Sequence, residues 1–162
     1  MTESLTHIVE GPYGTEAIVI SAKAGGAIPL WAPVKVSAAP SPPDPITVTT
    51  TTNANDAIIG VAVGPKLASG KAADASGDKV NICVFGRCKL KVLGKSVNIA
   101  VGDCLGSTTT AGKAAKVDVS GANAAAIAAA INAFAMALKA SNADDDIIPV
   151  FVRGSKGNAK TS

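Results

Sequence analysis

Aromatic side chains are scarce: one Trp, one Tyr and three Phe make up 3% of 162 residues. With so few large anchors, a hydrophobic share of 48% that is rich in alanine points to many small contacts in a densely packed core. Histidine occurs once, at His7, in a stretch with no ordered context to set it beside a nucleophilic Cys or Ser. The three cysteines, Cys83, Cys88 and Cys104, lack the C-x-x-C spacing of a zinc site. Concentrated positive charge is absent too. Fifteen Lys and Arg are scattered among twelve Asp and Glu for a net charge of +3, without interleaved aromatics, so direct nucleic-acid binding is not expected. The glycines of IIGVAVG and AVGDCLG match neither a Walker nor a Rossmann fingerprint, and Asp144 to Asp146 lack the spacing of an EF-hand loop. The expectation is a protein that is not an enzyme and needs no cofactor or metal. MTESLTHIVEGPYG carries neither the basic nor the apolar region of a secretory signal, so synthesis in a cytoplasm is expected. The longest uncharged run, Val119 to Leu138, is interrupted by Ser120, Asn123 and Asn132 and is mostly Ala. It reads as an ordinary helix and not as a membrane span.

What the chain does contain is a succession of short apolar segments punctuated by Gly, Asn, Asp and Thr: AIIGVAVG, VNICVFGRCKLKVLG, NIAVGDCLGSTTTAGKAAKV. Strands of this kind predict a mainly β fold, a small barrel or sandwich. The length suits one domain. The expected organisation is an extended N-terminal arm over 1–15, a single β domain over 16–153 and a flexible tail over 154–162.

Ala17 to Ala22 reads as a strand, followed at Gly25-Gly26 by a turn into IPLWAPVKVSA. Pro29 and Pro33 cannot donate ladder hydrogen bonds, which places this piece at an edge or bulge. Ala39 to Pro45 holds four prolines and reads as an extended loop, with ITVTTTT as the strand after it. Across Val80 to Val92 the even positions are Val80, Ile82, Val84, Gly86, Cys88, Leu90 and Val92, and the odd ones include Arg87, Lys89 and Lys91. Unbroken alternation predicts one long strand with its even face inward. On such a strand Cys83 and Cys88 fall on opposite faces, about 16 Å apart, beyond the reach of a disulfide. Free, reduced, structurally passive thiols are expected.

A helix is predicted over 122–140, capped by Ser120 or Asn123, with Ile127, Ile131, Phe134 and Leu138 as one apolar stripe. Asp144 to Asp146 then lead into IIPVFV as a closing strand.

The order of these pieces resembles the head decoration, or capsid cement, proteins of tailed bacteriophages and related viruses. The resemblance is carried by IIGVAVG at Ile58 to Gly64, SGDKVNICVFG at Ser76 to Gly86, AVGDCLGSTTTAG at Ala100 to Gly112 and the closing DDDIIPVFV, and it covers roughly Ile18 to Val152. The Pro-Thr segment from Pro40 to Thr52 and the Ala-rich stretch after Gly121 exceed the family pattern. The resemblance implies a virion protein on the capsid exterior that binds and reinforces the assembled shell, with the major capsid protein as partner and a homotrimer as the working form. A tail or fibre-base β module is the first alternative; a small ligand-binding barrel or enzyme is a more distant one. Candidate contact residues are Trp31, held between two prolines, and the basic stripe Arg87, Lys89 and Lys91, with Lys95 just beyond. Tryptophan is favoured at interface hot spots, and a basic stripe can steer docking onto an acidic shell surface.

Overall fold

The computed structural model describes residues 6–10, 16–37, 45–95, 97–118 and 124–153. In chain order its strands are β1 (Thr6–Glu10), β2 (Glu16–Ala24), β3 (Ile28–Pro29), β4 (Pro33–Val36), β5 (Thr47–Thr50), β6 (Ile58–Gly64), β7 (Lys71–Ala73), β8 (Lys79–Leu93), β9 (Cys104–Ser107), β10 (Ala114–Lys116), β11 (Ala135–Ala137) and β12 (Asp144–Val152). One helix, α1 (Ala124–Asn132), precedes β11. The fold is mainly β, as the sequence pattern predicts.

Strand pairing runs β1-β2-β5-β4-β6-β8-β10-β9-β11-β12, and β8 pairs additionally with β2 and β12. Those extra pairings close two hydrogen-bonded circuits: β2-β5-β4-β6-β8 back to β2, and β8-β10-β9-β11-β12 back to β8. The fifteen-residue β8 is the strand they share. Its first half meets β2 from Lys79 to Gly86, and its second half meets β12 from Gly86 to Leu93. β3 and β7 form a separate two-stranded sheet. Pro33 opens β4, and Pro29 sits where the β3–β7 register shifts, both positions that tolerate a missing donor.

Each circuit has its own core. One gathers Ala22, Val34, Val48, Ala62, Val80 and Ile82; the other gathers Leu90, Val92, Leu105, Phe134, Ile148 and Val150. β8 serves both, and here the predicted unbroken alternation fails. Ile18 pairs with Phe85 but Val19 pairs with Cys83, so Val84 is an extra residue on β8. One bulged residue inverts the alternation once and bends the strand. Gly86, at φ 103, supplies a left-handed conformation that other residues adopt at a cost. The result is that Val80 and Ile82 belong to the first core, while Cys83, Cys88, Leu90 and Val92 belong to the second. Cys83 and Cys88 therefore share a core, against the sequence expectation of opposite faces. Nearby, a Cβ on Gly60 of β6 would collide with the Cys83 carbonyl and approach Ile82 Cγ2 to 2.7 Å, so the glycine is what lets β6 lie against β8.

The predicted helix over 122–140 is shortened to α1, and its second half becomes β11. Phe134 donates its amide hydrogen to the Leu105 carbonyl at 3.0 Å, and β11 then pairs with both β9 and β12. Alanine's helix propensity is a fraction of a kcal/mol per residue, which closure of the second circuit overrides. The expected stripe is split accordingly: Phe134 is fully buried, while Ile127 is 52% exposed. Within the expected arm, Thr6–Glu10 runs antiparallel to β2 of the same chain, from Thr6 opposite Ile20 to Glu10 opposite Glu16. The expected N-caps Ser120 and Asn123, the proline-rich loop before Pro45 and the tail over 154–162 lie outside the described residues.

Candidate docking face

The bulge in β8 also decides what faces solvent. Below it, Val80 and Ile82 point into the first core; above it, the same side of the ribbon carries Phe85, Arg87, Lys89 and Lys91 outside the second circuit. β12 extends this outer face. Phe151, Pro149 and Ile147 stand opposite Arg87, Lys89 and Lys91 in register, while Val152, Val150 and Ile148 between them are buried. On the other flank Ile18 of β2 stands opposite Phe85.

Phe85 and Phe151 meet edge to face, with ring centroids 5.3 Å apart and planes at 80°. Phe85 is 47% exposed, Ile147 42% and Ile18 38%. Of the five aromatic residues in the chain, Phe134 is fully buried, whereas Trp31, Phe85 and Phe151 are all partly open to solvent. Aromatics and arginine are the residue types enriched at protein interfaces, and this face carries both.

Trp31 comes from the first circuit, in the turn between β3 and β4, and is held at φ 66. Its amide hydrogen goes to the Ala62 carbonyl at 2.8 Å, and its own carbonyl accepts from the Lys91 amide at 2.9 Å. These bonds fix the turn against the second half of β8. The Lys89 ammonium lies 5.7 Å from the centroid of the Trp31 ring, a cation–π contact. Lys91 reaches Asp145 at 3.5 Å, and Lys113, from the turn between β9 and β10, reaches the same carboxylate at 2.9 Å. Asp145 is itself a bulge residue, at φ 62, where the β12–β8 register shifts. The hydrogen bond from Lys113 holds its carboxyl below the usual carboxylate range, with Lys91 acting in the same direction.

The structure thus brings Trp31, Lys89 and Lys91 to one surface, with Arg87 on the same strand face. It changes their character: Lys89 is engaged by an aromatic ring and Lys91 by a carboxylate, and apolar side chains are interleaved among the cations. Phe85, Phe151 and Ile147 are absent from the sequence reading, although the alternation in IIPVFV carries the signal. Lys113 and Asp145 had no local signal, because the turn between β9 and β10 meets β12 only through the closed circuit. Lys95 keeps to the far end, where its amide donates to Asp144 Oδ1 at 3.0 Å. Among the described residues, no group of three or more His, Cys, Asp or Glu is placed to hold a metal ion, and no helix is long and apolar enough to cross a membrane.

Two strand circuits sharing one long strand, with a mixed aromatic and basic outer face, define a mainly β fold. Comparisons with protein-family models and with curated proteins find no match. Among solved structures, the chain is similar to the head fibre gp8.5 N base of bacteriophage phi29, with a TM-score of 0.57 and 18% sequence identity, over 87% of this chain and 98% of that one. At that identity the likeness is one of fold.

Proposed function

We propose that the protein is a structural component of a phage virion that binds the outside of the assembled head. The observation that carries this reading is the fold shared with a head fibre base along nearly the full length of both chains. The sequence resemblance to head decoration proteins points to the same location by a separate route. In this reading the partner is the major capsid protein, the working form is a homotrimer, and no covalent chemistry is required. Each copy buries apolar and aromatic area from the β2–β8–β12 face against a neighbour, and many modest contacts add up over the lattice. The closed strand circuits act as a pair of small barrels that hold this face rigid.

Two versions of the role share that docking step. As a decoration protein, each copy clamps neighbouring shell subunits; as a fibre base, it anchors a projecting fibre, the version favoured by the structural likeness. Electron cryo-microscopy of the native particle separates them. Density for this chain on the head, with or without a projecting fibre, supports the proposal and chooses the version. Density confined to the tail, or absent from the particle, overturns it.

A further inference from the structure

Helix α1 takes no part in the docking face, and its solvent side is apolar. Of its nine residues eight are Ala or Ile, with no acid in the first turn and no base in the last. Inside the chain it rests on β9. Its C-terminal end is held inward: Asn132 and Ala133 are buried, the Asn132 side-chain amide donates to the Asn55 carbonyl at 3.4 Å, and Phe134 enters the second core. What meets solvent is Ala124 and Ile127, both exposed, with Ala128 and Ile131 half-buried beside them. Those four stand at i, i+3, i+4 and i+7, the spacing of a seam by which one helix packs on another. A helix covered from one side only turns such a stripe inward and charged residues outward; here the apolar stripe itself is on the outside. We propose that α1 is a self-association surface, packing against α1 of a second copy of this chain.

A second copy is the occupant for three reasons. The helix carries no charge, so an acidic shell surface, a nucleic acid or a lipid headgroup finds no counter-charge on it, and burying their charges there would be costly; an identical neutral helix matches it. No other part of the chain is suited to cover it. The longer segments outside the described residues, 1–5, 11–15, 38–44, 119–123 and 154–162, are polar or broken by Pro and Gly, and none repeats the four-position apolar pattern. Finally, Ile127 and Ala128 stand at the middle of the stripe, so a twofold or threefold axis beside them sets like against like, as a closed symmetric oligomer requires. Alanine at the flanking positions lets two helix axes approach to about 8 Å. A helix of this length is marginal by itself, and cover on its outer side stabilises it. Its two and a half turns bury less than the about 800 Å² per partner of a standard interface, so association in solution is expected to be of about micromolar strength. The seam gives the homo-oligomer of the proposed function, on which it builds, a surface separate from the β2–β8–β12 face.

The test uses the full-length protein and a control position, Val101, which is 66% exposed in a turn outside the helix. Sedimentation velocity should show self-association of the parent protein at about 100 µM. Ile127→Lys is expected to weaken it at least about tenfold, and Val101→Lys to leave it unchanged. Because Ile127 is half exposed, Ile127→Lys should keep a cooperative melting transition. A second arm does not depend on that variant: in a Cys104→Ser background, Ile127→Cys should give covalent dimers on a non-reducing gel under mild oxidation, and Val101→Cys should not. A parent protein that stays monomeric, a folded Ile127→Lys protein that associates as strongly as the parent, or equal cross-linking through both positions would overturn the proposal. These readouts need no capsid, so failure of the helix seam leaves the virion role to its own test.

Discussion

The Lys89 ammonium lies 5.7 Å from the centroid of the Trp31 ring, on a tryptophan whose backbone is held at φ 66. The pair joins the two circuits, since Trp31 belongs to the turn between β3 and β4 and Lys89 to the second half of β8. The left-handed backbone disfavours any residue with a Cβ by about 1–2 kcal/mol, and glycine escapes that cost. Trp31→Gly is therefore expected to be more stable than Trp31→Ala by about 1 kcal/mol, checked by equilibrium denaturation. If Trp31 anchors docking, both variants lose shell binding to the same degree, because both remove the ring.

Phe85 is half open to solvent and touches Phe151 edge to face. Phe85→Ser is expected to change folding stability by no more than about 1 kcal/mol, the edge-to-face term and a partial burial. Self-association, read by sedimentation velocity, should weaken by at least about tenfold if this ring is a buried anchor between subunits. An unchanged association constant would remove the ring from the interface.

Phe134 and Ile127 would be equivalent on one helical stripe, yet they differ in the structure. Phe134→Ala is expected to cost about 3–5 kcal/mol. Ile127→Ala, at a half-exposed helix position, should cost less than about 1 kcal/mol. Equal costs in chemical denaturation would restore the long helix.

This contrast marks how much of the fold is legible in the sequence. β2, β5, β6 and β12 follow from local alternation and turn residues, because those signals lie within each segment. The inversion at Val84 does not, since a bulge is defined by the partner strand, and β2 lies some sixty residues earlier. β11 is hidden for the same reason: an alanine-rich segment carries a helical signature until β9 and β12 stand on either side of it. At the candidate docking face, Trp31 and the basic stripe are visible as residue types. Their contacts are not, because the ring, Asp145 and Lys113 arrive from three separate parts of the chain.

Asp56 sets the acid behaviour. Burial pushes its carboxyl up, but the Thr52 amide, the Lys35 ammonium and the Asn53 amide outweigh this and hold it below the usual value, with Lys35 Nζ 2.9 Å away. Asp103 is lowered by the Ala100 amide and, against slight burial, by Lys116. A folded-state value below the unfolded one means stability that is present above about pH 3.9 and is lost as pH falls through the lower folded value. The melting temperature should therefore stay level from about pH 7 to about pH 5 and drop below about pH 4. Asp56→Asn should be less stable by about 1–2 kcal/mol near neutrality and converge with the parent protein in acid. A constant difference down to the lowest pH would show that the carboxylate charge contributes nothing.

The most direct test of the virion role is co-sedimentation of the purified protein with expanded head shells of its own phage that lack it. Saturable binding at a fixed ratio to the major capsid protein is predicted. Binding should weaken on reversal of Arg87, Lys89 and Lys91 at low salt and be less affected near 1 M salt, where screening acts within about 3 Å and the apolar contacts remain. A protein that stays in the supernatant at every ionic strength, while folded by its melting transition, would contradict the account.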